Sequence, residues 1–219
     1  MKKRIVILGG GESGIGAALL ASKKGYDVFL SDAGKLKEEW RKELKNNAIP
    51  FEEGGHSIDK ILEADELVKS PGIPETAPIL CDVRKKGILV ISEIEFAYRY
   101  CDGSKIVAIT GSNGKTTTTS LIYHICKHAG LQCALVGNIG YSFARQVAFD
   151  PQPLYVVEVS SFQLDDIVTF RPNVAVLTNI TEDHLDRYDY KMQNYVSSKF
   201  RIAMNQIAAD IFIYCMDDE

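Results

Sequence analysis

Apolar and polar positions along the chain alternate between two periods. Short, nearly continuous apolar runs are followed by longer stretches in which apolar residues recur every three or four positions. The runs at 4–8, 27–30, 66–69 and 88–91 read as strands. The stretches at 15–24, 35–46, 77–86 and 93–100 read as helices. Strands that are apolar at successive positions are buried on both faces, and their alternation with helices predicts beta-alpha-beta units on a mostly parallel sheet. The pattern restarts after the turn-prone Cys101-Asp-Gly-Ser104, with strands expected at 105–109, 133–136, 154–159, 174–179 and 211–215. A helix with apolar residues at Leu121, Ile122, Ile125 and Cys126 follows the first of these, and another is expected at 195–209. A domain boundary is placed near residue 103, giving units 1–103 and 104–219. The fold class is therefore α/β, two successive parallel-sheet units.

Composition narrows the function classes. The 219 residues carry 25 Lys and Arg against 29 Asp and Glu, a net charge of −4, so no broad basic field for nucleic acid exists. Five cysteines are scattered without C-x-x-C spacing, which suggests neither a disulfide framework nor a zinc site and fits a reducing cytoplasm. The apolar run after Met1 is stopped by Gly9-Gly-Gly11, too early for an export signal or a membrane span. The chain closes on Cys215-Met-Asp-Asp-Glu219, just past a strand, which reads either as a natural terminus or as a cut inside a larger protein.

Two glycine loops carry the candidate chemistry. Gly9, Gly11 and Gly14 form G-x-G-x-x-G between a strand and a helix, with Glu12 and Ser13 inside the loop. Backbone amides at such a helix start can approach a diphosphate. Asp32 follows at roughly the 20-residue separation expected of a ribose-binding acid. Whether nicotinamide adenine or a uridine sugar hangs from that diphosphate is open, and the alternative reading of Asp32 is a helix N-cap before Gly34. Ser70, Pro71 and Gly72 form a sharp turn after another strand, at the same sheet edge or as a plain turn.

The second loop, Thr110-Gly-Ser-Asn-Gly-Lys-Thr116, is a contracted P-loop. Ile109 stands where the strict pattern has its first glycine. Amides of Gly111, Ser112, Asn113, Gly114 and Thr117 would surround phosphates, Lys115 would neutralise them, and Thr116 would ligate magnesium. Glu158 and Ser160 point to one side of the strand at 154–159, where a nucleotide-bound Mg2+ needs an acid. His184, between Asp183 and Asp186, is a candidate for a second metal. Lys199 on its helix carries no signal of its own.

Taken together, the second loop, Glu158-Val-Ser-Ser-Phe-Gln-Leu164 and Thr178-Asn-Ile-Thr-Glu-Asp-His-Leu-Asp-Arg-Tyr188 resemble the Mur ligases of bacterial cell-wall synthesis. With Gly137-Asn-Ile-Gly140 and the first loop, the likeness is greatest to the branch that joins D-glutamate to UDP-N-acetylmuramoyl-L-alanine. The resemblance implies a Rossmann-like domain followed by part of a P-loop-type ATPase domain, and a chain lacking a C-terminal domain for the amino acid. It implies ATP and Mg2+ as cofactors, a cytoplasmic location, no membrane insertion and no nucleic acid partner. Gly9, Gly11, Gly14 and Asp32 would hold the uridine diphosphate beside Ser70, Pro71 and Gly72, with Asn138 and Ser160 near the substrate. Lys115, His184 and Lys199 would act in catalysis. Thr116 and Glu158 would hold one Mg2+. His184 and Lys199, the latter as a carbamate, would hold another. Ala33 departs from the family, where threonine often follows the acid. Among rival readings, a nicotinamide oxidoreductase leaves Gly114-Lys-Thr116 without a task, and a non-catalytic nucleotide-sugar module requires the chain to be complete.

Overall fold

In a computed structural model, which describes residues 2–217, the chain folds into two parallel five-stranded sheets. The acidic ending at Asp218 and Glu219 lies outside the described residues. The first sheet takes β1 (Arg4–Leu8), α1 (Glu12–Lys23), β2 (Asp27–Asp32), α2 (Glu38–Asn46), β3 (Phe51–Glu53), α3 (Ile58–Leu62), β4 (Glu66–Lys69), α4 (Pro78–Lys85), β5 (Leu89–Ser92) and α5 (Glu93–Tyr98). Its order is β3-β2-β1-β4-β5. Ile5 and Ile7 enter one hydrophobic cluster and Val6 and Leu8 another, so β1 is covered on both faces, as its unbroken apolar run requires. The order reverses at β1, and the turns after β1 and β4 flank the crevice where doubly wound sheets bind ligands.

The second sheet takes β6 (Lys105–Thr110), α6 (Lys115–His128), β7 (Ala134–Gly137), α7 (Phe143–Phe149), β8 (Leu154–Glu158), α8 (Ser161–Leu164), β9 (Val174–Leu177), α9 (Met192–Phe200) and β10 (Ile211–Tyr214), in the order β10-β9-β6-β8-β7. The carboxyl ends of β6, β8 and β9 thereby bring the second glycine loop, Glu158 and Thr178 to one edge.

Two expectations change. The helix at 195–209 starts at Met192 and ends at Phe200, followed by a 3-10 turn over Arg201–Ala203. Side-chain amides of Asn205 and Gln206 instead bond the carbonyls of Val168, Phe170, Pro172 and Ile211, which fixes an irregular segment. On α6, Leu121 and Ile125 are 56% and 57% exposed. Its more buried side runs through Thr119, Ile122 and Cys126, with Thr119 fully buried.

The two sheets share one core. A single cluster runs from Ile5 and Ile15 through Ile94 and Phe96 to Phe143, Val147 and Val157. Helices α1 and α7 meet so closely at Gly16 that a Cβ there would sit 1.8 Å from Ser142 Oγ. Around this apolar contact stand buried carboxylates. Glu93 Oε1 accepts from Ser142 Oγ at 2.8 Å and Ala144 N at 2.6 Å, while Oε2 has no hydrogen-bond partner among the described residues. Glu95 accepts from the amides of Val168, Thr169 and Phe170 and from Thr169 Oγ1. Burial would raise the Glu95 pKa, yet these bonds outweigh it and leave the carboxyl below its ordinary value.

Glu93 goes the other way. Complete burial lifts it to about 7, and its two donors offset this only in part. Between the ordinary carboxylate value and 7 the folded state holds a proton that the unfolded state has released, so stability falls as pH rises through that window. Glu93→Gln is expected to flatten this slope in urea denaturation between pH 5 and pH 8. An unchanged pH dependence would show that Glu93 is not the titrating group.

Candidate functional site

The first loop is shaped by packing as much as by openness. A Cβ on Gly14 would lie 1.8 Å from Gly9 O, and one on Gly9 would meet Ser70 at 2.7 Å, whereas a Cβ on Gly11 would meet nothing within 4 Å. Gly9 and Gly14 thus permit the tight strand-to-helix passage, and Gly11 is the position open to a ligand. Asp32 organises this crevice: Oδ2 accepts from Gly10 N and Oδ1 from Gly34 N at 2.7 Å. Glu12 is turned outward to Arg145, whose Nε lies 2.8 Å from Oε1, and Ser13 is half-buried in the first turn of α1. Ser70 Oγ donates to Gly9 O at 3.2 Å, which ties the turn after β4 to the loop after β1.

In the second loop, Gly111 (φ +149) packs against Thr178 Oγ1, and Gly114 (φ +77) caps the start of α6. Both lie in the left-handed region that favours glycine. No side chain caps α6, so its first amides, from Lys115, Thr116 and Thr117, are available to an anion at the positive end of a 14-residue helix. Ser112 and Asn113 do different work. Ser112 Oγ donates to Thr181 O and accepts from Thr181 N, both at 2.9 Å, while Asn113 N donates to Asn179 Oδ1 at 2.9 Å. Segment 178–181 therefore moulds the loop.

Lys115 Nζ rests on the carbonyls of Gly111 and Ser112 at 2.8 Å each. Thr116 Oγ1 donates to Glu158 Oε2 at 2.8 Å, and Asn138 Nδ2 donates to Glu158 Oε1 at the same distance. Glu158 is 1% exposed. Among the described residues no group of three or more His, Cys, Asp and Glu could hold a metal ion. A hydroxyl paired with a carboxylate nevertheless fits Mg2+, which takes one or two protein oxygens and completes its shell with water and phosphate.

One cavity of about 290 Å³ gathers much of the rest. Pro71 and Gly72 line it from the first sheet, and Lys115, Asn138, Ser160, His184 and Lys199 line it from the second. Ser160 also caps α8 in a reciprocal box with Gln163. His184, at φ 51, opens a 3-10 turn over Leu185–Arg187 and has Nε2 at 3.5 Å from Asp183 Oδ2. Lys199 is 1% exposed and donates to Gly111 O at 2.8 Å. Burial first, and then the charge of Lys115, pushes its amine down to about 7. Sequence reasoning passed over Phe162, Tyr195 and Arg187 in the same wall. The signal available for Arg187 was its place three residues after His184. A larger groove of about 410 Å³ beside α9 and β10 is apolar and holds none of these groups.

Comparison with known proteins gives a consistent picture. Residues 109–219 match the Mur ligase middle domain and residues 4–78 the MurD N-terminal domain. The chain is 58% identical over 216 residues to the UDP-N-acetylmuramoylalanine–D-glutamate ligase of Bacteroides fragilis, covering 99% of this chain and 48% of the relative. To that of Christiangramia forsetii it is 55% identical over 219 residues, covering 100% and 49%. The chain spans about half the length of the curated relatives it matches. Among solved structures, the UDP-N-acetylmuramate–alanine ligase of Thermotoga maritima shares the fold at TM-score 0.61 and 24% identity, over 100% of this chain and 50% of that one. A second ligase, UDP-N-acetylmuramate:L-alanyl-gamma-D-glutamyl-meso-diaminopimelate ligase from Neisseria meningitides, does so at TM-score 0.66 and 21% identity, over 100% and 73%.

Proposed function

This chain belongs to the Mur ligase family, and from that premise we propose that it carries the UDP-sugar and ATP seats of a ligase joining D-glutamate to UDP-N-acetylmuramoyl-L-alanine in peptidoglycan synthesis. Residues 1–103 hold the UDP substrate and residues 104–219 hold ATP. The observation that carries the reading is the single cavity walled by Pro71 and Gly72 on one side and by Lys115, His184 and Lys199 on the other. Neither sheet alone supplies both walls.

The chemistry follows from charge. A substrate carboxylate must approach the terminal phosphate of ATP, form an acyl phosphate and release ADP, and the amine of D-glutamate then displaces phosphate. Two anions meet in the first step, so cationic groups fixed in advance around the phosphoryl group lower its barrier. Lys115 is held over the loop by two carbonyls, and the open amides of α6 orient the phosphates. Mg2+, held by Thr116 and Glu158, would offset phosphate charge. Asn138 fixes the Glu158 carboxylate in the orientation that Thr116 shares.

Lys199 is suited to a further task. An amine pushed down to about 7 is largely neutral at slightly alkaline pH, and a neutral amine adds to carbon dioxide. The N–C bond forms, the neutral amine gives up one proton to solvent, and the buried amine becomes an anionic oxygen donor in the cavity that His184 also lines.

Calorimetric titration of the chain with UDP-N-acetylmuramoyl-L-alanine, UDP and NADH tests the reading. Saturable binding of both UDP ligands with none for NADH is expected; binding of NADH alone would overturn it.

A further inference from the structure

The turn at residues 70–73 leaves the first sheet, yet two groups from the second part of the chain hold it. At its stem, the buried Lys69 pairs with Asp166 Oδ2 at 2.7 Å and with Glu75, and Arg84 joins Glu75 to Asp166 Oδ1 at 2.9 Å. At its crest, one guanidinium nitrogen of Arg187 donates to Pro71 O at 3.3 Å and Ile73 O at 3.1 Å. The same guanidinium lies 4.3 Å from the centre of the Phe162 ring, which is 5.3 Å from the His184 ring. Arg187 ends the 3-10 turn that His184 begins.

The two holds differ in kind. Lys69 and Asp166 are an almost fully buried pair, a fixed anchor. Arg187 is half-buried on a loop that also lines the cavity, so whatever repositions His184 or Asp183 repositions the donor that grips the turn. Ser70 in turn touches the first glycine loop through Gly9 O. A continuous chain of contacts thus runs from the ATP side, through Arg187, to the UDP-sugar side. Affinities linked through such a shared element change reciprocally.

We propose that Arg187 is a positioning residue that holds the turn at residues 70–73 from the His184 loop, and thereby couples the UDP-sugar seat to the ATP seat. This rests on the ligand assignment above. The UDP-N-acetylmuramoyl-L-alanine affinity of the whole chain is measured with and without saturating Mg2+ and a non-hydrolysable ATP analogue. Wild type is expected to tighten by about five-fold when the analogue is present, and Arg187→Ala to show no tightening. Arg187→Lys keeps the charge but loses the planar fork that stacks on Phe162, and is expected to behave as alanine does. Coupling that survives in Arg187→Ala, coupling restored in full by lysine, or two ligands that bind wild type independently would each overturn the proposal. Amide hydrogen exchange without ligand separates its failure from that of the ligand assignment. If wild type binds neither ligand, faster exchange over residues 71–77 in Arg187→Ala still supports the hold on the turn, and unchanged exchange overturns it.

Discussion

Lys115→Ala is expected to weaken binding of Mg2+·ATP by about 100-fold at moderate salt, the largest loss of affinity from any single substitution in the loop. Hydrogen bonds to charged groups contribute about 1.5–3 kcal/mol each, and 1.4 kcal/mol is a factor of ten. The Lys115 ammonium already sits over the loop on the carbonyls of Gly111 and Ser112, so little ordering is needed when phosphate arrives. Removing it leaves phosphate charge facing only amides and Mg2+. Titration with a fluorescent ATP analogue measures the loss, while UDP-sugar affinity measured alone serves as the control. A drop of less than three-fold would mean that this loop does not seat the triphosphate.

The second large effect separates two uses of glycine in the first loop. Gly14→Ala puts a methyl group 1.8 Å from a backbone oxygen that no side-chain rotation can move. Forcing such an overlap costs about 3 kcal/mol or more, as the strand-to-helix passage has to open. Gly11→Ala meets no atom within 4 Å and has φ −76, ordinary for alanine, so its urea midpoint is expected to stay close to wild type. Its UDP-sugar affinity is expected to fall at least ten-fold, because the added methyl stands where the diphosphate approaches the amides. If Gly11→Ala bound as well as wild type, the diphosphate would have to lie elsewhere along the crevice.

Most strands were legible because their buried runs are almost purely apolar; β10 was legible from the same composition although Ile211, Ile213 and Tyr214 are exposed. Elements with little apolar content of their own were not. β3 is three residues, Phe51–Glu53, and α8 is four, held by the Ser160–Gln163 box. α7, whose Phe143, Ala144 and Val147 are buried against α1, was hidden by its shortness. Of the apolar residues of α6, Ile122 and Cys126 lie on the side that carries the buried Thr119, while Leu121 and Ile125 stay exposed. In the site, Lys115, Thr116 and Glu158 could be read in advance, since loop and strand periodicity place them at one sheet edge. Arg187 offered only its place three residues after His184, because its partners are carbonyls of residues more than a hundred positions away. Glu93, Glu95 and Lys69 were equally opaque: charged residues normally mark surface, and their burial follows from the meeting of two sheets that no local pattern encodes.

That meeting restricts how the chain can be recombined. Gly16 leaves room for Ser142, Ser142 satisfies Glu93, and Arg145 on the following turn binds Glu12. The five positions form one lock whose halves lie on helices of different sheets. A chimera that takes residues up to the turn at Cys101-Asp-Gly-Ser104 from one relative and the remainder from another inherits half of each lock. Grafts that keep positions 12, 16, 93, 142 and 145 from a single parent should fold, whereas those that mix them at Gly16 and Ser142 should lose the shared core even when each half is sound in its own parent.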